Sequence, residues 1–199
     1  MLVSQNGIKK ILARNGVDKR SYSECNQKYK RNSNYFDDIN EENKAYYLGL
    51  IYADGNNFSN HNAISISLQE EDGYLIERFK EEVEYEGPVK YDYLSEINPN
   101  YKNQTRIVIN DEHMSKRLFE LGVVDKKSLV LTFPNFLDYN MLRHFCRGYF
   151  DGDGGVYYDK KRNRLTTSTV GTYDFTSTLK NILYSFGCSS NIYHPKQSK

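Results

Sequence analysis

Asp54 and Asp153 close two near-copies of one segment. The first runs Tyr46-Tyr47-Leu48-Gly49-Leu50-Ile51-Tyr52-Ala53-Asp54-Gly55, and the second Phe145-Cys146-Arg147-Gly148-Tyr149-Phe150-Asp151-Gly152-Asp153-Gly154. In each, a small residue is followed four positions later by another small one, then by Asp-Gly. Gly148 lies 99 residues beyond Gly49, and Asp153 lies 99 beyond Asp54. That distance is too long for a solenoid and suits a duplicated domain. Two carboxylates brought together where the copies meet repel each other, and a divalent cation turns that repulsion into a binding site. Carboxylate oxygens with water suit Mg²⁺ (or Mn²⁺) better than a soft metal.

The elements that position these acids are expected to be helices. Gly49 and Ala53, four apart, give one helix a stripe almost without side chains, and Gly148 with Gly152 gives the other the same stripe. Close helix crossing needs small residues at the contact. Each glycine weakens its helix by roughly 1 kcal/mol relative to alanine, which packing against a twin helix can offset. Gly55 and Gly154 read as glycine C-caps. The acids stand at the negative end of the helix dipole, an arrangement that costs about 0.3–1 kcal/mol each. A bare turn would also explain one Asp-Gly, but not two with matched upstream glycines.

These segments resemble the paired motifs of the LAGLIDADG homing endonucleases in their single-chain, two-repeat form. Tyr47 to Gly55 matches at its Gly, Leu-Ile, Ala and Asp-Gly positions, and Cys146 to Gly154 at Gly, Asp and Asp-Gly. The resemblance implies an α+β fold of two αββαββα repeats packed through their motif helices. Their antiparallel sheets would form a saddle over duplex DNA. It also makes Asp54 and Asp153 the metal-binding catalytic acids, with Asp151 secondary because the first copy has Tyr52 there. Lys127, in Lys126-Lys127-Ser128, matches a Lys-Ser of related proteins and is the candidate catalytic cation, alongside its reading as a solvated loop lysine. A monomer with pseudo-two-fold symmetry, acting on no small-molecule substrate, is implied as well.

Charge is segregated along the chain. Residues 1–31 carry net +6, residues 156–199 net +5, and residues 32–155 net −10, within an overall +1. Many central acids fall in Glu70 to Glu86, an expected helix on the outer face of a lobe. Basic ends suit phosphate contacts; ordinary solvated faces are the other reading. No run of about 18 apolar residues occurs, so no membrane span is expected, and no secretory signal opens the chain. Three unpatterned cysteines argue against a disulfide framework or a zinc site. A reducing, cytoplasmic setting is expected. The eighteen tyrosines and many asparagines fit AT-rich coding, hence a phage or low-GC host, and the resemblance to homing endonucleases implies a mobile genetic element.

Residues 1–34 read as a basic leader helix and linker. Ser4 to Gly16 has an apolar stripe of Ile8, Ile11 and Leu12, a stop at Asn15-Gly16, and Lys9, Lys10 and Arg14 on the other face for DNA phosphates. It resembles the second helix of a helix-turn-helix, hence a truncated remnant, or else an ordinary amphipathic leader. Residues 35–122 form the first repeat. A motif helix is expected at 41–54, two strands within 56–69, a helix at 72–84, strands at 88–97 and 104–110, and a helix at 114–121 closed by Gly122. Residues 123–139 cross to the second repeat, 140–199. It is expected to hold a motif helix at 140–153, strands near 155–160 and 164–170, a helix at 173–186 and a strand at 188–193. Against the first repeat it reads as incomplete.

The leading function is a site-specific, Mg²⁺-dependent hydrolase of double-stranded DNA. Strand residues Ser65, Ser67, Gln69, Arg106, Arg164 and Thr166 would read the major groove. The alternative is a relative that binds DNA or RNA without cutting, a repressor or intron-splicing helper. A calcium loop at Asp151 fails because Arg162 stands where the closing Glu is required.

Overall fold

The computed structural model describes residues 11–16 and 28–193. Lys9 and Lys10 lie outside them. Residues 11–14 are helical, and Gly16 takes a positive φ of 64° just past the expected Asn15 stop, with Arg14 exposed.

Helix α1 (Glu42–Asp54) leads into strands β1 (Gly55–Phe58) and β2 (Ala63–Gln69), then helix α2 (Gly73–Glu82). Strands β3 (Lys90–Asp92) and β4 (Gln104–Asn110) and helix α3 (Glu112–Glu120) complete this half. The expected αββαββα order holds. The sheet is antiparallel with order β1-β2-β4-β3. Alternation sets its two faces. Ile64, Ile66, Ile107 and Ile109 point into a core closed by α2 and α3, while Ser67, Gln69, Gln104 and Arg106 share the open face. The strand expected over 88–97 stops at Asp92, because Leu94–Glu96 turns into a 3₁₀ segment.

The second half contains helix α4 (Tyr139–Asp153), hairpin strands β5 (Gly154–Asp159) and β6 (Arg164–Thr169), and helix α5 (Tyr173–Ser185). Residues 188–193 form no strand. An extended segment becomes a strand only when a neighbour takes its backbone hydrogen bonds, and among the described residues no strand pairs with this segment.

Arg31 and Tyr35, expected in or beside a polar linker, pack onto the first half instead. Arg31 Nε donates to Asp111 Oδ2 at 2.5 Å, Ser33 Oγ donates to the same oxygen at 2.5 Å, and both charged side chains are buried. Asp111 also caps α3, accepting from the Met114 N–H at 2.8 Å. Burial works against its ionisation, but the bonds from Met114, Ser33 and Arg31 outweigh it and hold its carboxyl below the usual range. A depressed carboxyl stabilises the fold above its unfolded value, about 3.9, and that stability drains away as pH falls through the folded value. Asp111→Asn retains a capping oxygen but loses the charge, so it is expected to cost about 2 kcal/mol at neutral pH. Urea midpoints measured from pH 6 to 2 should converge for the two proteins at the acid end; parallel curves would refute this role.

Candidate catalytic centre

Among the described residues the most extensive contact between elements joins α1 and α4, and glycines make it possible. A methyl added to Gly49 would overlap the Phe145 carbonyl oxygen and sit 2.9 Å from the Tyr149 nitrogen. One added to Gly148 would overlap the Tyr46 carbonyl oxygen and sit 3.0 Å from the Leu50 nitrogen. Since 145 and 149 lie 99 beyond 46 and 50, the two contacts are equivalent under the sequence offset. Further along, a methyl on Gly152 would overlap Ala53 Cβ and lie 2.9 Å from Asp54 Oδ2. The helices therefore run in the same direction and end side by side.

That arrangement brings Asp54 and Asp153 together. Burial raises the Asp54 pKa first, and the Asp153 charge raises it further, while the Lys127 ammonium opposes both. Asp153 is likewise raised by burial, with Lys127 and the Tyr149 hydroxyl acting the other way. Lys127 is not a solvated loop residue: it is 7 % exposed, in the turn Lys127–Leu129. Its Nζ donates to the Ala53 carbonyl at 2.8 Å and to the Gly55 carbonyl at 2.7 Å. These oxygens sit where a helix leaves its last carbonyls unsatisfied, so the ammonium caps α1 and lies in the field of both acids. Burial lowers the Lys127 pKa, and the two carboxylates pull it back up.

Gly55 and Gly154 are not left-handed caps. Their φ values are −78° and −92°, ordinary extended backbone. Space requires them instead, because a methyl on Gly55 would lie 2.7 Å from Ile51 Cα and one on Gly154 would overlap the Phe150 carbonyl oxygen.

Three features of the centre carried no recognisable sequence signal. Tyr46 donates its hydroxyl to Asp151 Oδ2 at 2.8 Å, so this other motif acid braces the helix pair. Tyr52 donates to the Leu121 carbonyl. Buried Asn57 donates to the Ser115 and Val123 carbonyls at 2.9 and 3.0 Å. Tyr52 and Asn57 thus hold the start of the crossover that delivers Lys127.

The nominated DNA-reading residues divide. Ser67 Oγ donates to Gln104 Oε1 at 2.9 Å, Lys102 Nζ to Gln69 Oε1 at 2.6 Å, and Arg106 pairs with Asp92 at 3.0 Å, all across the open face of the first sheet. Ser65 belongs to that face by register but is buried. In the hairpin, Arg164 and Thr166 alternate on one face, Arg164 exposed and Thr166 half-buried.

Two carboxylates form a donor set that fits Mg²⁺, which keeps several waters and takes substrate phosphate oxygens as ligands. No cluster of three or more His, Cys, Asp or Glu occurs among the described residues. No helix among them is long and apolar enough to cross a membrane.

An α+β protein with helix pair, twinned acids and an open polar sheet defines a class of fold, and the comparison with known families meets it in the second half. Residues 140–199 match the LAGLIDADG-like domain. That domain has homing endonucleases and maturases among its relatives. No curated protein matches the chain.

Proposed function

We propose that this chain is a two-repeat LAGLIDADG endonuclease that hydrolyses both strands of a specific duplex site. The observation carrying this reading is the convergence of Asp54, Asp153 and Lys127 at the paired ends of α1 and α4. Residues 35–122 repeat the domain matched at 140–199, and the open faces of the two sheets form the saddle. On this reading Asp54 and Asp153 hold Mg²⁺ (or Mn²⁺). The chemistry that a divalent cation held there would supply is activation of water and neutralisation of charge at the scissile phosphate.

Each residue of the centre then has a task. The two carboxylates stand at the ends of helices whose backbones the glycine contacts hold close together. Lys127 offsets their charge before DNA arrives and faces the phosphate that the acids approach. Ser67, Gln69 and Arg106 already bond to neighbours across the open face, so base contacts exchange these bonds for bonds to DNA instead of desolvating unpaired groups. Arg164 and the exposed Arg14 add phosphate contacts.

The test is a supercoiled plasmid library with randomised inserts, incubated with the protein and Mg²⁺. Linear products sharing one recurrent insert sequence are expected. Salt-dependent binding without cutting in Mg²⁺ or Mn²⁺ would replace this reading with that of a repressor or splicing helper. Absence of binding would overturn both.

A further inference from the structure

We propose that Tyr149 is a positioning residue for Asp153: its buried hydroxyl fixes the direction of that carboxylate and so sets how tightly the acid pair holds a divalent cation. This role rests on the metal-binding part of the reading above and adds to it a residue outside the acid pair. Tyr149 lies four residues before Asp153 on α4, hence on the same helix face. Only 2 % of it is exposed. Its ring packs on Phe175 of α5 with centroids 4.2 Å apart, and its hydroxyl donates to the Val170 carbonyl at 2.8 Å. A methyl added to Gly171 would sit 3.0 Å from the hydroxyl oxygen, so backbone closes on that atom from a second side. Ring and hydroxyl are both anchored.

Register places that hydroxyl beside the acid. β5 and β6 pair at Gly154 and Thr169, so the next residues outward are Asp153 and Val170. The carbonyl that accepts the Tyr149 proton therefore belongs to the residue across from Asp153. The hydroxyl stands between two acceptors, the Val170 carbonyl and the Asp153 carboxylate. Burial is the largest influence on the Asp153 carboxyl and raises its pKa; the hydroxyl works the other way, as a donor to a charged carboxylate does.

The first half is built differently at this point. Leu50 stands 99 residues before Tyr149, in the equivalent place, and its side chain has no polar atom to offer Asp54. β2 also runs on past the Gly55–Ile66 pair to Gln69, bonded to β4, whereas β6 ends at Thr169 and leaves the Val170 carbonyl to the tyrosine. Around Asp54 the anchored group is Lys127, fixed to the Ala53 and Gly55 carbonyls. The twin acids are thus held by different means, a lysine tied to the backbone around one and a tyrosine tied to the backbone across from the other. A carboxylate that ligates a metal is oriented by its own hydrogen-bond donors, and losing such a donor costs about 10- to 100-fold in metal affinity. Without the hydroxyl, Asp153 must give up rotational freedom at the moment a cation binds.

Tyr149→Phe tests this, since it keeps the ring on Phe175 and removes the oxygen alone. Thermal melts of the whole chain, free of DNA, are followed as Mg²⁺ is titrated. The Mg²⁺ concentration that gives a set rise above the melting temperature in EDTA should be about 10- to 100-fold higher for the variant than for wild type. A tyrosine that only supports the fold would lower the melting temperature in EDTA and leave the response to Mg²⁺ as it was. That outcome overturns the positioning role and leaves the nuclease reading standing. Wild-type protein that gains no stability from Mg²⁺ overturns both. A response that weakens as expected, in a chain that cuts no DNA, upholds the tyrosine's role and removes the nuclease.

Discussion

Asp54→Asn and Asp153→Asn are each expected to lower DNA cleavage by on the order of 10⁴-fold, the scale on which a reaction fails when one member of a catalytic unit is removed. The same variants should be more stable than wild type in metal-free buffer. Each acid sits at the negative end of its helix, is partly buried, and has its pKa raised, first by burial and, for Asp54, also by its twin. A carboxyl whose folded value is raised binds its proton more tightly folded than unfolded. It therefore subtracts stability once pH exceeds the folded value, and that loss disappears below the unfolded one. Replacing one acid with its amide relieves the repulsion, a gain of about 1 kcal/mol. Adding Mg²⁺ should reverse the order: at tenfold its Kd a cation stabilises the wild-type fold by about 1.4 kcal/mol, and the variants lose that increment. Thermal melts with and without Mg²⁺ read this directly. Variants less stable than wild type in EDTA, or stabilised equally by Mg²⁺, would show that the acids do not form a shared site.

The 99-residue echo made the helix pair, its direction and its twinned acids legible, because small residues at i and i+4 have few uses other than close approach. Alternation in Ile64, Ile66 and Leu68 likewise placed β2 and its buried face correctly. What escaped reading depends on partners distant in the chain. Arg31 reads as one more cation in a basic leader, and only the fold reveals Asp111 eighty residues away. Asp111 did carry a signal, a capping residue ahead of the α3 run, but its carboxylate's second partner did not. Asn57 looks like a turn residue and is instead a buried clamp. Residues 188–193 have strand composition but pair with no strand among the described residues, and composition alone does not supply a partner. Gly55 and Gly154 were placed correctly at helix ends for the wrong reason, since crowding, not a left-handed turn, excludes a side chain there.

Gly148→Ala is the packing change with the largest expected cost. A helix-interior glycine exchanged for alanine ordinarily gains about 1 kcal/mol of helix propensity. Here the new methyl would overlap the Tyr46 carbonyl oxygen and crowd the Leu50 nitrogen, and both belong to backbone that cannot rotate aside. Relief requires α1 and α4 to separate along the seam that buries Phe145, Tyr149 and Tyr52, so the net loss is expected to reach about 3 kcal/mol. The Tyr46–Asp151 bond lies on that seam and should break with it. The Lys127 bonds to Ala53 and Gly55 join the crossover to the end of α1, not to α4, and should persist. Urea unfolding should therefore show a lower midpoint with an unchanged slope, while amine-reactive labelling finds Lys127 still protected. Gly49→Ala meets the equivalent backbone of α4 and should match it closely. If instead either alanine variant equals or exceeds wild type in stability, the helices are not held backbone to backbone, and the geometry that brings Asp54 to Asp153 loses its support.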